Sequence, residues 1–136
     1  MTPNTYTIDG FARHPALDAP DTHFGAPGFF AIGVSVAPHE LERLRRACAR
    51  LADPLAPGAA TLPIRTELAG RPFVIARALR KPEVVIPARL QPHSIVRGDR
   101  VRVTGNLAPY RTASRHGVRL TLVSVELLAV DLRKAA

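Results

Sequence analysis

The sequence predicts a mainly β protein: a five-stranded barrel with one α-helix and an irregular N-terminal arm. Three observations carry this. From Thr61 onward apolar residues recur with a period of two. A helical period appears only over Pro38–Ala52. Residues 1–27 hold Pro3, Pro15, Pro20 and Pro27 among Asp, Thr and Gly, with no sustained period. The 136 residues therefore divide into an arm over 1–27 and a single domain over 28–136. That is enough chain to bury a core without disulfide or metal staples.

In the arm, a short strand is expected at Tyr6–Ile8 at most. Gly28–Val36 (GFFAIGVSV) is aromatic and β-branched and is bounded by Pro27 and Pro38, so it reads as a buried strand. Pro38 then suits a first helical turn, and Glu40 and Glu42 favour the positive end of the helix dipole. Leu41, Leu44, Cys48 and Leu51 form one apolar stripe on that helix, which makes Cys48 a core thiol. Asp53-Pro54 and Pro57-Gly58 end it.

The barrel strands are expected over 61–132. Leu62, Ile64 and Leu68 alternate with Arg65 and Glu67. Phe73–Leu79 is a second apolar stretch, and Val84, Ile86, Ala88 and Leu90 form a third alternating set. Val101 and Val103 alternate with Arg100, Arg102 and Thr104, and Val118, Leu120 and Leu122 with Arg119 and Thr121. After Leu122 the phase slips to Val123, Val125 and Leu127, which calls for a bulge where a barrel closes. Prolines 63, 72, 82, 87 and 92 belong at edges or bulges, since proline cannot donate to a ladder.

The net charge of +8 is unevenly placed. Residues 1–60 hold five arginines against six acidic residues; residues 61–136 hold fourteen Arg or Lys against five. A half-chain this basic suits a polyanion, nucleic acid before membrane. One cysteine forms neither a disulfide framework nor a zinc site of several cysteines. The polar start of the chain and the lack of a long apolar run point to the cytoplasm, with no membrane partner. No phosphate-loop, zinc-protease or nucleophile-elbow motif is present, and the histidines lack ligand spacing. The expectation is no catalytic residue, no cofactor and no metal; His14, Asp18, Asp21 and His23 read as a solvated arm.

Residues Arg97–Leu107 (RGDRVRVTGNL) and Gly117–Leu128 (GVRLTLVSVELL) carry a resemblance. Gly98-Asp99 turns into the strand, Gly105 permits a tight bend, and a basic loop over Tyr110–His116 joins the two strands. This hairpin resembles the last one of the OB-type barrel in bacterial single-stranded-DNA-binding proteins and the related primosomal replication protein. The resemblance covers about a quarter of the chain, and anticodon-binding OB domains share the pattern. It implies single-stranded DNA or RNA as ligand, with a homo-oligomer and replication proteins as partners. The pattern departs from the family in its helix, which precedes the expected five strands instead of lying between the third and fourth.

Binding a single strand requires cations along the backbone path and flat side chains under the bases. The alternation puts Arg65, Arg89, Arg100, Arg102 and Arg119 outside the core, and Arg111 and Arg115 in the loop. Any one of these arginines is read as a solvated surface residue; the cluster is read as a binding face. Aromatics make up 5% of the chain. Tyr110 is the leading platform, Phe73 is either platform or core, and His116 stacks or touches phosphate. Of adjacent Phe29 and Phe30, one faces in and the other out. The leading expectation is thus a single-stranded-DNA-binding protein of replication, recombination or a mobile element. A protein-docking OB module would instead leave Leu41, Leu44 and Leu51 exposed. An RNA-binding OB protein would prefer RNA to DNA of equal length.

Overall fold

The computed structural model describes residues 5–21, 28–52, 64–66, 72–111 and 116–130. Along the chain run β1 (Thr5–Asp21), β2 (Phe29–Ser35), α1 (Pro38–Ala52), β3 (Ile64–Thr66), β4 (Pro72–Ala78), β5 (Glu83–Val85), a 3-10 turn (Ala88–Leu90), β6 (Arg100–Arg111) and β7 (His116–Ala129). Five of the strands close on themselves. β1 lies antiparallel to β2 and to β6, β2 to β4, and β6 to β7; a parallel contact between β4 and β7 completes the ring. This is an OB-type barrel, mainly β and carrying one α-helix among the described residues.

The N-terminal arm is the main correction. Over Thr5–Asp21 it is not irregular: it is the first strand of the barrel, paired on both sides. Ile8 and Ala12 are buried in the core, and Tyr6 packs against it. Pro15 hides this continuity in the sequence, because it lies in a bulge where the register to β2 slips between Arg13 and Ala16. It follows that 28–36 supplies the second strand, and α1 lies between the second and third barrel strands. The five barrel strands are therefore not all within 61–132.

The set Val84–Leu90 also differs from expectation. Only Glu83–Val85 is strand, and Ala88–Leu90 is a 3-10 turn. Pro87 breaks the ladder by lacking an N–H. Arg89 consequently lies on a turn and not on a strand.

Other sequence features appear as expected. The slip after Leu122 is a bulge: Thr104 pairs with Ser124 and Gly105 with Leu122, leaving Val123 over. The bulge divides β7, which pairs with β4 before it and with β5 after it. Opposite it, a Cβ on Gly105 would stand 2.5 Å from the Thr121 carbonyl oxygen and 2.8 Å from Leu120 Cδ1. Only glycine fits that approach without displacing backbone. At the entry to β6, Gly98 has φ 94°. Buried Asp99 accepts from the Val96 N–H at 2.9 Å, and its carbonyl accepts from the Ala12 N–H at 2.8 Å. That turn is thereby fastened to β1.

Helix α1 closes the core with Leu44, Ala47 and Cys48 buried, and Leu41 and Leu51 half-buried. Burial pushes the Cys48 thiol up to about 11. Arg43 ties the helix to β1: it donates to the Thr7 carbonyl at 2.9 Å, pairs with Glu40 at 2.7 Å, and stands 4.7 Å from the Tyr6 ring centroid.

Candidate nucleic-acid interface

Strand alternation on β2 separates two surfaces. Ile32 and Val34 point into the barrel, while Phe29, Ala31, Gly33 and Ser35 take the outer positions. Register then extends each outer position to its neighbours. β1 sets Phe11 opposite Ser35 and Arg13 opposite Gly33. β4 sets Phe73 opposite Ser35, Ile75 opposite Gly33 and Arg77 opposite Ala31. The result is one outer face spread over β1, β2 and β4.

Two phenyl rings stand open on this face, Phe11 at 54% exposure and Phe29 at 42%. Between them along β2 are Gly33, which is buried, and Ala31, which is half-buried. A Cβ on Gly33 would come within 2.8 Å of the Phe73 ring and 3.2 Å of Arg13 Cβ, so Phe73 lies across the glycine. His14 adopts φ 45°, a strained conformation for a non-glycine residue. Its ring centroid is 6.2 Å from that of Phe73, with the rings tilted by 60°. Arg13 Nε donates to Ser35 Oγ at 2.9 Å. The Arg77 guanidinium stands 5.7 Å from the Phe29 ring centroid. Among the described residues, no ion pair engages Arg77.

The face over β1, β6 and β7 is electrostatically different. Arg102 donates to both carboxylate oxygens of Asp9, at 2.9 and 3.1 Å, and has Glu126 at 3.8 Å on its other side. The Arg102 hydrogen bond holds the Asp9 carboxyl below the usual aspartate range, and Asp9 in turn raises Arg102. On this side the charge of Arg102 is matched by the carboxylates of Asp9 and Glu126.

The sequence-predicted residues divide between these surfaces. Phe73 is buried at 8% exposure yet lies on the outer side of the sheet, apart from the contiguous core cluster. Arg65 stands opposite it in register. Arg100 is exposed and pairs in register with Phe11, extending the aromatic face toward β6. Arg119 is exposed at an outer position of β7, one residue before the Leu120 contact with β4. Arg102 is engaged by acid, and Arg89 donates to the Leu128 carbonyl at 3.0 Å.

Tyr110, Arg111 and His116 fall by register at the tip of the β6–β7 hairpin; Arg115 lies outside the described residues. Arg100 and Tyr110 occupy opposite ends of β6, about 30 Å apart at strand rise. Arg100 is thus far from the hairpin tip, whereas Arg119 stands opposite Ala108, two residues from Tyr110.

Phe11, Arg13, His14 and Arg77 were not legible as site residues. Phe11 falls in the proline-containing stretch over 1–27 that shows no sustained period, and Arg77 is a lone cation within an apolar run. Their common signal is period-two alternation: Phe11 is out of phase with Ile8 and Ala12, and Arg77 with Val74 and Ala76.

A closed five-stranded OB-type barrel with an open aromatic and basic sheet face defines the class of protein. Solved structures share this fold. The single-stranded DNA-binding protein from bacteriophage Enc34 in complex with ssDNA aligns with a TM-score of 0.75 and 15% identity, covering 94% of this chain and 88% of that one. A C-terminal truncation of the Enc34 protein gives 0.76 and 16%, covering 94% and 87%. The single-stranded DNA-binding protein encoded by bacteriophage T7 gives 0.65 and 17%, covering 96% and 94%. At these identities the likeness is one of fold. No family model matches the chain, and no curated protein matches its sequence.

Proposed function

We propose that this protein binds single-stranded DNA without chemical turnover, along the outer face of β1, β2 and β4. The observation that carries this is the pairing of open rings with cations on that face and at its β6 border: Phe11 in register with Arg100 of β6, and Phe29 beneath Arg77. Bases stack on phenyl rings whatever their sequence, and guanidinium groups follow the phosphates. The excess of cations in residues 61–136 adds a long-range field that draws in a polyanion. The Enc34 protein, of the same fold, is described in complex with ssDNA, which supports DNA as the ligand.

The setting we propose is replication, recombination or a mobile element, within the cytoplasm, with a homo-oligomer and replication proteins as partners. Among the described residues no helix is long and apolar enough to cross a membrane. The docking-module alternative needs a free helix stripe; Leu44 is buried and Leu41 and Leu51 are half-buried, which counts against it.

The test is binding of fluorescent thirty-base oligo-dT against duplex DNA and oligo-U across a salt series. Preferential binding of oligo-dT with a steep salt slope is expected. Equal, weak binding of all three would overturn the proposal, and a preference for oligo-U would move the ligand to RNA.

A further inference from the structure

The open rings Phe11 and Phe29 mark the two ends of one track. Phe11 stands opposite Ser35, and Ser35 is six residues from Phe29 along β2. At a strand rise of about 3.3 Å per residue the ends are roughly 20 Å apart. Two cations lie between them on opposite flanks. Arg13 is level with Gly33, one step in from the Phe11 end; Arg77 is level with Ala31, one step in from the Phe29 end. Between the two rings along β2 lie half-buried Ala31 and buried Gly33, the latter covered by the Phe73 ring, so the path runs over Ala31 and Phe73. Leu79, 64% exposed, follows β4 and adds apolar surface at the Phe29 end.

A strand whose bases leave one another to stack on protein rings is extended. Its repeat is then roughly twice the stacked rise of 3.4 Å. Three such repeats span about 20 Å. We infer that the face accepts four unstacked nucleotides, the first and last bases resting on Phe11 and Phe29 and the phosphates between them meeting Arg13 and Arg77. This rests on the single-strand reading above and adds a defined length to it. A stacked strand would need about seven nucleotides for the same distance, so length separates the two geometries.

The experiment is competition of unlabelled oligo-dT, two to ten bases long, against labelled thirty-base oligo-dT at low salt. The expected result is a step of about tenfold in affinity between three and four bases, then a shallow rise. Phe11→Leu and Phe29→Leu keep an apolar side chain at an exposed position, and circular dichroism checks that they fold. Each should abolish the step while leaving the salt slope in place. A smooth rise with length, a step near seven bases, or a step that survives in both variants would overturn the four-nucleotide track. Failure of the unaltered protein to bind the labelled thirty-base strand would instead remove the single-strand reading itself.

Discussion

Asp9 on β1 and Arg102 on β6 are 93 residues apart in sequence and are joined by two hydrogen bonds, of 2.9 and 3.1 Å. The link lowers the pKa of Asp9. A lowered carboxyl pKa contributes stability at pH values above the unfolded value, near 3.8 for aspartate. That contribution is lost as pH falls from there through the lowered value. Urea midpoints from pH 7 down to pH 2 should therefore drop less steeply in Asp9→Asn than in the unaltered protein. Identical acid limbs would show that the pair contributes nothing.

The same pair makes Arg102 a poor phosphate ligand, since a strand would have to displace Asp9 first. Arg102→Ala should leave oligo-dT affinity nearly unchanged. Arg77→Ala should weaken it and reduce the salt slope by about 0.7, the share of one phosphate contact on a single strand. Anisotropy titrations at four salt concentrations distinguish the two. The reverse order would move the binding face to β1, β6 and β7.

Replacing Phe11 or Phe29 by Ala should weaken oligo-dT binding by about 1–3 kcal/mol each. Both rings are exposed, so the melting temperature should change little. A loss of binding that tracks a loss of melting temperature would mark either ring as structural.

Leu44, on α1, is 1% exposed. Leu44→Ala should cost about 2–5 kcal/mol in urea unfolding, by lost burial and the cavity left behind. A change within experimental error would mean that the helix does not close the core.

Cys48 is buried, and its thiol is pushed up to about 11. At pH 8 it should resist a thiol-specific disulfide reagent in the native protein and react promptly in urea, because the thiolate is the reactive form. Rapid native reaction would place Cys48 outside the packed interface.

The parts of the fold written locally were legible. Pro38–Ala52 forms the helix that its capping residues and apolar stripe predict. The phase slip after Leu122 gives the bulge at Val123, and the spare backbone of Gly105 marks the strand approach opposite it. β1 was not legible because its pattern breaks at His14-Pro15, and its second ladder partner is some ninety residues away. Phe73 was ambiguous for a related reason. Period two assigns alternate residues to two sides of a sheet, but does not say that the outer side can also be covered, as it is here by Gly33 and His14. Arg102 shows the limit for charge: an outward arginine is readable from alternation, whereas its carboxylate partner across the ladder is not.

Pairing of β1 with both β2 and β6 also sets an order of events during synthesis. β2 follows soon after β1 and can form a hairpin with it while the chain is still growing. The other edge of β1 stays bare until Arg100–Asn106 has been made. Closing so long a loop is slow compared with forming a local hairpin. A nascent chain arrested before residue 100 therefore presents an unpaired strand edge, a template for association with other chains, and protease protection of Tyr6–Phe11 should appear only once β6 has left the ribosome.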